Sequence, residues 1–284
     1  MRTSGARGTP GTGGPSCLSW LLLCLFTFGP LPPAAGGSGE LRGVMIVAGH
    51  GPERPVIDTL ARAFERAHPG TAVDVKWNRN FRTAWMVKSG KADLAVTGTD
   101  DPGLAATTVA WDGIAVIVNF SNPVNEVTSG QLRDLFSGKT LSWFDLNERA
   151  SETVEVIRRP DHRNVTAGFE ESLGIMGGMS KSALILRADQ TVLRRVSGRL
   201  GAIGYLSLGA ALEAVKFGTP VRILIVDGVE PGEPTVRNGR YKLRRPVLFL
   251  TRKRPNPLRD AFTAFALSPQ GQRIIGRQYY RLAH

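Results

Sequence analysis

Short apolar runs alternate with segments of helical periodicity along most of the chain. Residues 44–48, VMIVA, form a continuous apolar run of the kind found in buried parallel strands. The apolar positions of residues 56–67 recur at helical spacing, and His68-Pro69-Gly70 then ends the predicted helix before a strand over 72–77. The beginning of the pattern therefore predicts a unit of strand, loop, helix and strand.

The same alternation continues towards the C-terminus. It predicts further strands over 92–97, 109–120, 154–157, 201–205 and 247–250, and helices over 80–90, 128–136, 164–175, 187–199 and 258–266, with another short helix after residue 268. Strands that alternate with helices favour an α/β fold with a mostly parallel sheet. In such sheets ligands bind beyond the carboxyl ends of the strands, so we expect the first three inter-element loops to line a ligand site.

Residues 154–169, VEVIRRPDHRNVTAGF, combine a strand, an arginine pair and a helix start. Pro160 ends regular strand pairing because it has no backbone N–H. Asn164 or Thr166 can cap the following helix, whose free N–H groups then point back towards Arg158-Arg159. The segment predicts an anion site, with a capped helix beside two solvated arginines as the alternative.

The charge balance narrows the ligand class. Lys and Arg number 36 against 24 Asp and Glu, which gives a formal net charge of +12. This balance suits anionic ligands, nucleic acid or an acidic membrane surface. The sequence lacks zinc-type Cys/His spacing, a phosphate-binding glycine loop and basic runs interleaved with aromatics, so we expect neither nucleic acid nor a cofactor or metal.

Residues 1–36 have the layout of a secretory signal peptide. Basic residues precede an apolar run over 17–28, and small residues follow over 34–37, with cleavage expected near Ala35. An uncleaved membrane anchor is the alternative. Both cysteines lie in this segment, so the mature chain would have no disulfide. We therefore expect a protein exported to the periplasm or the extracellular space.

Four motifs in order carry a resemblance to a known family. They are F-x-G-K-x-x-x-W-x-D over 136–145, R-x-D over 159–161, G-A-I-G-Y over 201–205 and S-x-x-G-Q-x-x-I over 268–275. Together they resemble the phosphate-type (PstS-like) substrate-binding proteins of ABC transporters, a branch of the two-lobed periplasmic binding proteins. The resemblance covers nearly all of the chain after the signal.

The resemblance implies a type II periplasmic binding protein-like fold, in which each lobe has a central, mostly parallel sheet flanked by helices. Lobe one would comprise 41–118 and 214–284, and lobe two 119–213. The implied function is capture of a small oxyanion, with phosphate favoured, for delivery to an ABC permease. The implied protein is a monomer that meets the membrane only through the permease or an uncleaved signal.

The resemblance also assigns ligand-binding roles. Arg159 would clamp the oxyanion and Asp161 would orient its guanidinium. Asp100, with Asp101 as the alternative, would accept the proton of a hydrogen phosphate. The other expected contacts are donors, which the resemblance or their position in a ligand loop places at the site: Asn164, Val165, Thr166, Thr99, Asn80, His50 and Gly51. For His50 a structural hydrogen bond is favoured over catalysis.

Two segments depart from the family pattern. Residues 162–165 replace a run of small residues, and the first loop, 49–54, lacks the usual hydroxyl side chains. Glu53 in that loop would repel an anion unless it turns to solvent or pairs with Arg54. Another small oxyanion, or a larger phosphorylated or carboxylated molecule, therefore stays open as the ligand.

Two alternative functions follow from these departures. One is a sensory or scaffold module that keeps the fold but has altered or lost ligand binding. The other is an exported hydrolase, although the sequence has no nucleophile-elbow serine and no histidine pair at metal spacing. We expect a binding protein rather than an enzyme.

Overall fold

The computed structural model describes residues 41–78, 80, 82–160, 164–277 and 279–280. All of them fall in the unit Glu40–His284, one of two units into which the chain divides. The predicted signal, 1–36, lies outside the described residues. Within the described ranges, no helix is long and apolar enough to cross a membrane.

Helices and strands alternate as the apolar pattern predicts. The described elements are β1 (Gly43–Gly49), α1 (Arg54–Ala67), β2 (Thr71–Trp77), α2 (Thr83–Lys88), β3 (Leu94–Thr97), β4 (Ala105–Asn119), β5 (Glu126–Val127), α3 (Ser129–Ser137), a 3-10 turn (Trp143–Asp145), β6 (Glu155–Arg158), α4 (Asn164–Leu173), β7 (Leu184–Ile185), α5 (Asp189–Ser197), β8 (Ala202–Ser207), α6 (Leu208–Lys216), β9 (Val221–Ile223), β10 (Ile225–Val226), α7 (Glu233–Arg237), β11 (Arg244–Thr251), α8 (Pro257–Leu267) and α9 (Pro269–Ile275).

The main sheet has nine strands in the order β2-β1-β3-β11-β4-β8-β6-β7, with β9 also paired to β4. Its outer strands are parallel, since β1 pairs with β2 and β3, and β6 pairs with β7 and β8. The two central strands, β11 and β4, run antiparallel to their neighbours. The parallel pairing predicted from the sequence therefore holds at both flanks, and the centre differs because β11 returns from the C-terminal part to lie between β3 and β4.

Apolar side chains form separate cores on the two halves of this sheet. One cluster holds Phe136, Phe169 and Tyr205, whose Phe169 and Tyr205 rings stack at 4.1 Å between centroids. Another holds Met45, Phe64 and Phe262. Along β4, Ala110 belongs to the cluster of Met45 and Ile114 to the cluster of Phe136. Membership changes back near the start of β11, where Leu243 belongs to the cluster of Phe136 and Val247 to the cluster of Met45. Lobe boundaries at 119 and 213 stay a prediction, and the clusters favour boundaries near these two crossings.

Local sequence signals fix several element ends. Thr128 caps α3 by accepting from the Gln131 N–H at 3.1 Å, and the Gln131 side chain accepts from the Thr128 N–H at 2.7 Å. Gly138 ends α3 with φ 78°, a conformation that favours glycine. The buried Trp143 donates from Nε1 to the Gly201 carbonyl at 2.9 Å. Trp143 is thus a core residue that ties the 3-10 turn to the segment before β8.

Candidate functional site

The first loop, residues 49–54, follows β1 and is shaped by Trp77. The indole ring lies over Gly49, where a Cβ atom would fall 2.1 Å from the ring. Trp77 Nε1 also donates to the Gly51 carbonyl at 2.8 Å. His50 between these glycines is half-buried. Trp77 therefore fixes the position of the loop backbone. Any side chain at position 49 would require the indole ring to move.

Arg159 follows β6 and is 8% exposed. Its guanidinium forms an ion pair with Asp189 at the start of α5 and donates to the Arg187 carbonyl at 2.9 Å. Its backbone N–H donates to the Tyr205 hydroxyl at 3.2 Å. Nε is buried and forms no hydrogen bond with any described residue. Arg159 is therefore a nearly buried cation that keeps donor capacity.

The first turn of α4 lies beside Arg159. Thr166 is fully buried, and its hydroxyl hydrogen bonds the Tyr205 hydroxyl at 3.1 Å. Burial raises the pKa of Tyr205, which keeps its hydroxyl protonated at neutral pH. Thr166, predicted as a ligand donor, is thus bonded to Tyr205, which in turn holds the backbone of Arg159. The N–H groups of this first turn have no partner within the helix.

A cavity of about 220 Å³ lies between these segments. Its lining consists of Gly51, Pro52, Arg159, Val165, Ala188, Asp189 and Ser207. The structure therefore brings together the first loop, the predicted clamp arginine and the first turn of α4. The lining carries one cationic and one anionic side chain, which are paired with each other.

A larger cavity of about 500 Å³ adjoins the first, and the two share Pro52, Asp189 and Ser207. The remainder of its lining comes from α6 and from the segment after α9: Gly209, Ala210, Glu213, Arg277 and Tyr279. Neither this larger cavity nor a role for α6 was predicted from the sequence.

Glu53 adopts neither of the two arrangements that the sequence suggested for it. Its side chain neither turns to solvent nor pairs with Arg54, which instead lies 3.5 Å from Asp58. Glu53 is fully buried and pairs with Arg245 Nη2 at 2.7 Å. Arg245 arrives from β11, a partner that the local sequence of the loop does not reveal.

Arg245 is the centre of a buried ionic network. Its Nη2 atom also contacts Asp112 Oδ2 at 2.8 Å, and Ser207 Oγ donates to Asp112 Oδ1 at 2.7 Å. Burial raises the pKa of Asp112, and the two nearby carboxylates outweigh burial and raise the pKa of Arg245. Because Ser207 lines both cavities, this network lies directly behind the site.

The other predicted contacts lie elsewhere or outside the described residues. Thr99, Asp100 and Asn80 are exposed and belong to the lining of neither cavity. Asp101 pairs with Lys88 at 2.7 Å, and that hydrogen bond lowers the pKa of the Asp101 carboxyl. Asn164 begins α4. Asp161, predicted to orient Arg159, lies outside the described residues.

Sequence reasoning missed Asp189, Ser207, Asp112 and Arg245. One signal was present for Asp189, which is an acidic residue in the first turn of a helix. Arg245 is a charged residue at the start of an apolar strand, where an unpaired charge would be costly. Among the described residues, no group of three or more His, Cys, Asp or Glu is placed to hold a metal ion.

Comparison with known proteins gives matches over most of the chain. Residues 34–270 match the family described as "PBP superfamily domain". The phosphate-binding protein PstS 2 of Streptococcus pneumoniae is 33% identical over 136 residues, an alignment that spans 45% of each chain. The phosphate-binding protein PstS of Bacillus subtilis is 22% identical over 245 residues, which span 78% of this chain and 79% of the relative.

Solved structures show the same fold. The crystal structure of an ABC-type phosphate transport receptor from Vibrio cholerae superposes with a TM-score of 0.74 at 22% identity, covering 85% of this chain and all of the receptor. The two-lobe α/β fold predicted from the motifs is confirmed, and so is the resemblance to phosphate-type binding proteins.

Proposed function

The chain belongs to the PBP superfamily domain family, and from this membership we propose that it is an exported solute-binding protein that captures a small oxyanion between its two lobes. Phosphate is the favoured ligand, and an ABC permease is the partner that would receive it. The protein binds the ligand without chemical change.

One observation carries this proposal: the nearly buried Arg159 lines a cavity of about 220 Å³ between the first loop and the start of α4. A guanidinium in a water-poor cavity binds a tetrahedral oxyanion more strongly than it would in bulk water. The backbone N–H groups of the first turn of α4 provide further donors without a net positive charge. The site therefore offers the donors that an oxyanion with several acceptor oxygens requires.

Asp189 is the internal competitor of the ligand. Its carboxylate already pairs with Arg159, and the oxyanion must share or displace that contact. This pair is also the observation that favours the second candidate, a sensory or scaffold module with altered or lost ligand binding. In that case Asp189 stays paired with Arg159 and no anion displaces it.

Isothermal titration calorimetry with phosphate, sulfate and molybdate tests the proposal. We expect the wild-type protein to bind at least one of these oxyanions. Arg159→Ala should weaken that binding by about 100-fold, because it removes charge-assisted hydrogen bonds in a desolvated site. Arg133→Ala, at an exposed position on α3, is the matched control and should keep the wild-type affinity.

Absence of heat for all three oxyanions would favour the sensory or scaffold module over solute capture. Equal affinity of Arg159→Ala and wild type would place the anion site elsewhere in the chain. Turnover of a phosphoester by the purified protein would point to a hydrolase and contradict binding without chemistry.

A further inference from the structure

The larger cavity beside Arg159 offers room that a bare oxyanion leaves unused. It measures about 500 Å³, within the range of roughly 300–1,000 Å³ typical of sites for small organic ligands. Pro52, Asp189 and Ser207 line both cavities, so the two adjoin at these residues. A substituent on a ligand held at Arg159 would therefore reach the larger cavity past these shared side chains.

The larger cavity has the polar groups of a built site. Asp189 and Glu213 supply two carboxylates, and Arg277 supplies one guanidinium. Tyr279 also lines it and is only 4% exposed, so a ligand in this cavity would meet a nearly buried aromatic side chain that carries a hydroxyl group.

The charges around the cavities also suit a ligand that carries a cationic group beside the oxyanion. The buried network contains two carboxylates, Glu53 and Asp112, and one guanidinium, Arg245. The lining itself contains two carboxylates and the two guanidinium groups of Arg159 and Arg277. The whole arrangement is therefore negative by one charge, and an oxyanion that takes Arg159 leaves the Asp189 carboxylate without its present partner, which a cationic group on the ligand would replace.

We propose that the larger cavity takes a cationic substituent carried by the oxyanion. The ligand class is then a phosphonate or a phosphate monoester with an ammonium group on a short carbon chain. The phosphorus oxyanion binds at Arg159, and the ammonium group lies between Asp189 and Glu213. This inference rests on the proposed oxyanion site.

Matched ligands test the role of the ammonium group. Calorimetry compares 2-aminoethylphosphonate with ethylphosphonate, which lacks the amine, and with inorganic phosphate. We expect the aminated ligand to bind at least about fivefold more tightly than ethylphosphonate, as a partly exposed ion pair allows. Phosphoethanolamine presents the same groups through an ester oxygen, so its affinity shows whether the site prefers a phosphonate or a phosphate ester.

A matched pair of variants tests the placement. Glu213→Gln removes one carboxylate of the larger cavity, at an exposed position on α6 that does not threaten folding. We expect it to reduce the preference for 2-aminoethylphosphonate over ethylphosphonate towards twofold or less. Glu148→Gln removes an exposed carboxylate outside both cavities and should keep the full preference.

The outcomes separate this inference from the proposed function. If phosphate binds but the aminated and plain phosphonates bind equally, the inference is wrong and oxyanion capture stands. If Glu213→Gln keeps the full preference, the ammonium group does not lie where we place it. If no phosphorus oxyanion binds, this inference is wrong, and oxyanion capture then stands only if sulfate or molybdate binds.

Discussion

At the scale of single residues, Arg245 has the largest electrostatic role that we find in the described chain. It is fully buried and balances Glu53 and Asp112, which are also fully or almost fully buried. Each of these groups lost its hydration on folding, and their mutual contacts, with the hydrogen bond from Ser207 to Asp112, offset that loss. The network therefore contributes to stability only while all three members are present.

We expect Arg245→Met to lower the free energy of unfolding by about 3–5 kcal/mol, because it leaves two buried carboxylates without a cation. Urea denaturation followed by circular dichroism measures the change. The loss should grow as pH rises. Burial raises the folded-state pKa of Asp112 above its ordinary value of 3.8, and the charge of Arg245 opposes that rise. Without Arg245 the folded variant holds the Asp112 proton to a higher pH than the wild type does, so the variant loses more stability as that proton dissociates.

Arg252→Met is the matched control, since Arg252 lies just after β11 and pairs with Asp93 at 3.6 Å on a partly exposed surface. It should cost about 1 kcal/mol or less. A similar loss in both variants would contradict the importance we give to the buried network.

The sequence placed Arg159 beside a helix start, as the structure has it, but did not reveal the partner of Glu53, and chain distance explains the difference. Arg159 lies in a short motif followed by a helix start, so its neighbours in sequence are also its neighbours in space. The partner of Glu53 is 192 positions away in sequence. No local pattern specifies such a contact, which depends on how β11 inserts into the sheet.

At the scale of elements, α4 packs closely on β11 through a glycine. A Cβ atom at Gly168 would lie 2.7 Å from Cβ of Arg245, closer than real Cβ contacts allow. This contact holds α4, whose first turn lies at the anion site, against β11, which carries the buried Arg245. Gly168 thus links the position of the site to the centre of the sheet.

Two glycine substitutions separate packing from helix propensity. We expect Gly168→Ala to destabilise the protein by about 1–3 kcal/mol, because the added methyl overpacks the contact between α4 and β11. Gly130→Ala in α3 should instead stabilise it by about 0.5 kcal/mol, since the nearest atom, Thr128 Oγ1, is 3.6 Å from the added carbon. Thermal unfolding of both variants measures the difference. Stabilisation by Gly168→Ala would show that α4 is not tightly packed there.

Most long elements could be predicted from periodicity and end signals. The helix predicted over 128–136 is α3, and the one predicted over 258–266 is α8. No helix was predicted at α6, because it begins directly after β8 and no turn residue separates the two elements. The short strands β7 and β10 also escaped prediction, because two residues carry no periodicity.

At the scale of the whole molecule, two central strands connect the two apolar cores. β4 pairs with β11 in its first part and with β8 and β9 in its second part. Trp111 and Arg244 stack near the change of core, with the guanidinium carbon 3.9 Å from the ring centroid. We infer that any relative motion of the cores is concentrated at this crossing.

Phosphate should therefore reduce the radius of gyration of the wild-type protein, because hinge closure brings the cores together around the ligand. Small-angle X-ray scattering with and without saturating phosphate measures the effect. Arg159→Ala at the same phosphate concentration serves as the control and should show no change. An unchanged radius in wild type, with binding shown by calorimetry, would contradict closure about β4 and β11.

The composition of the core around β1 has a consequence for the order of folding. That core combines Met45 and Phe64 with Phe249 and Phe262 from the other end of the chain. Such contacts of long sequence separation form late, because a long loop must close before any contact rewards it. While a ribosome delivers the chain from its N-terminus, β3 lacks its neighbour β11 until Thr251 has emerged. Until then a nascent chain of this design lacks part of this core and stays open to chaperones.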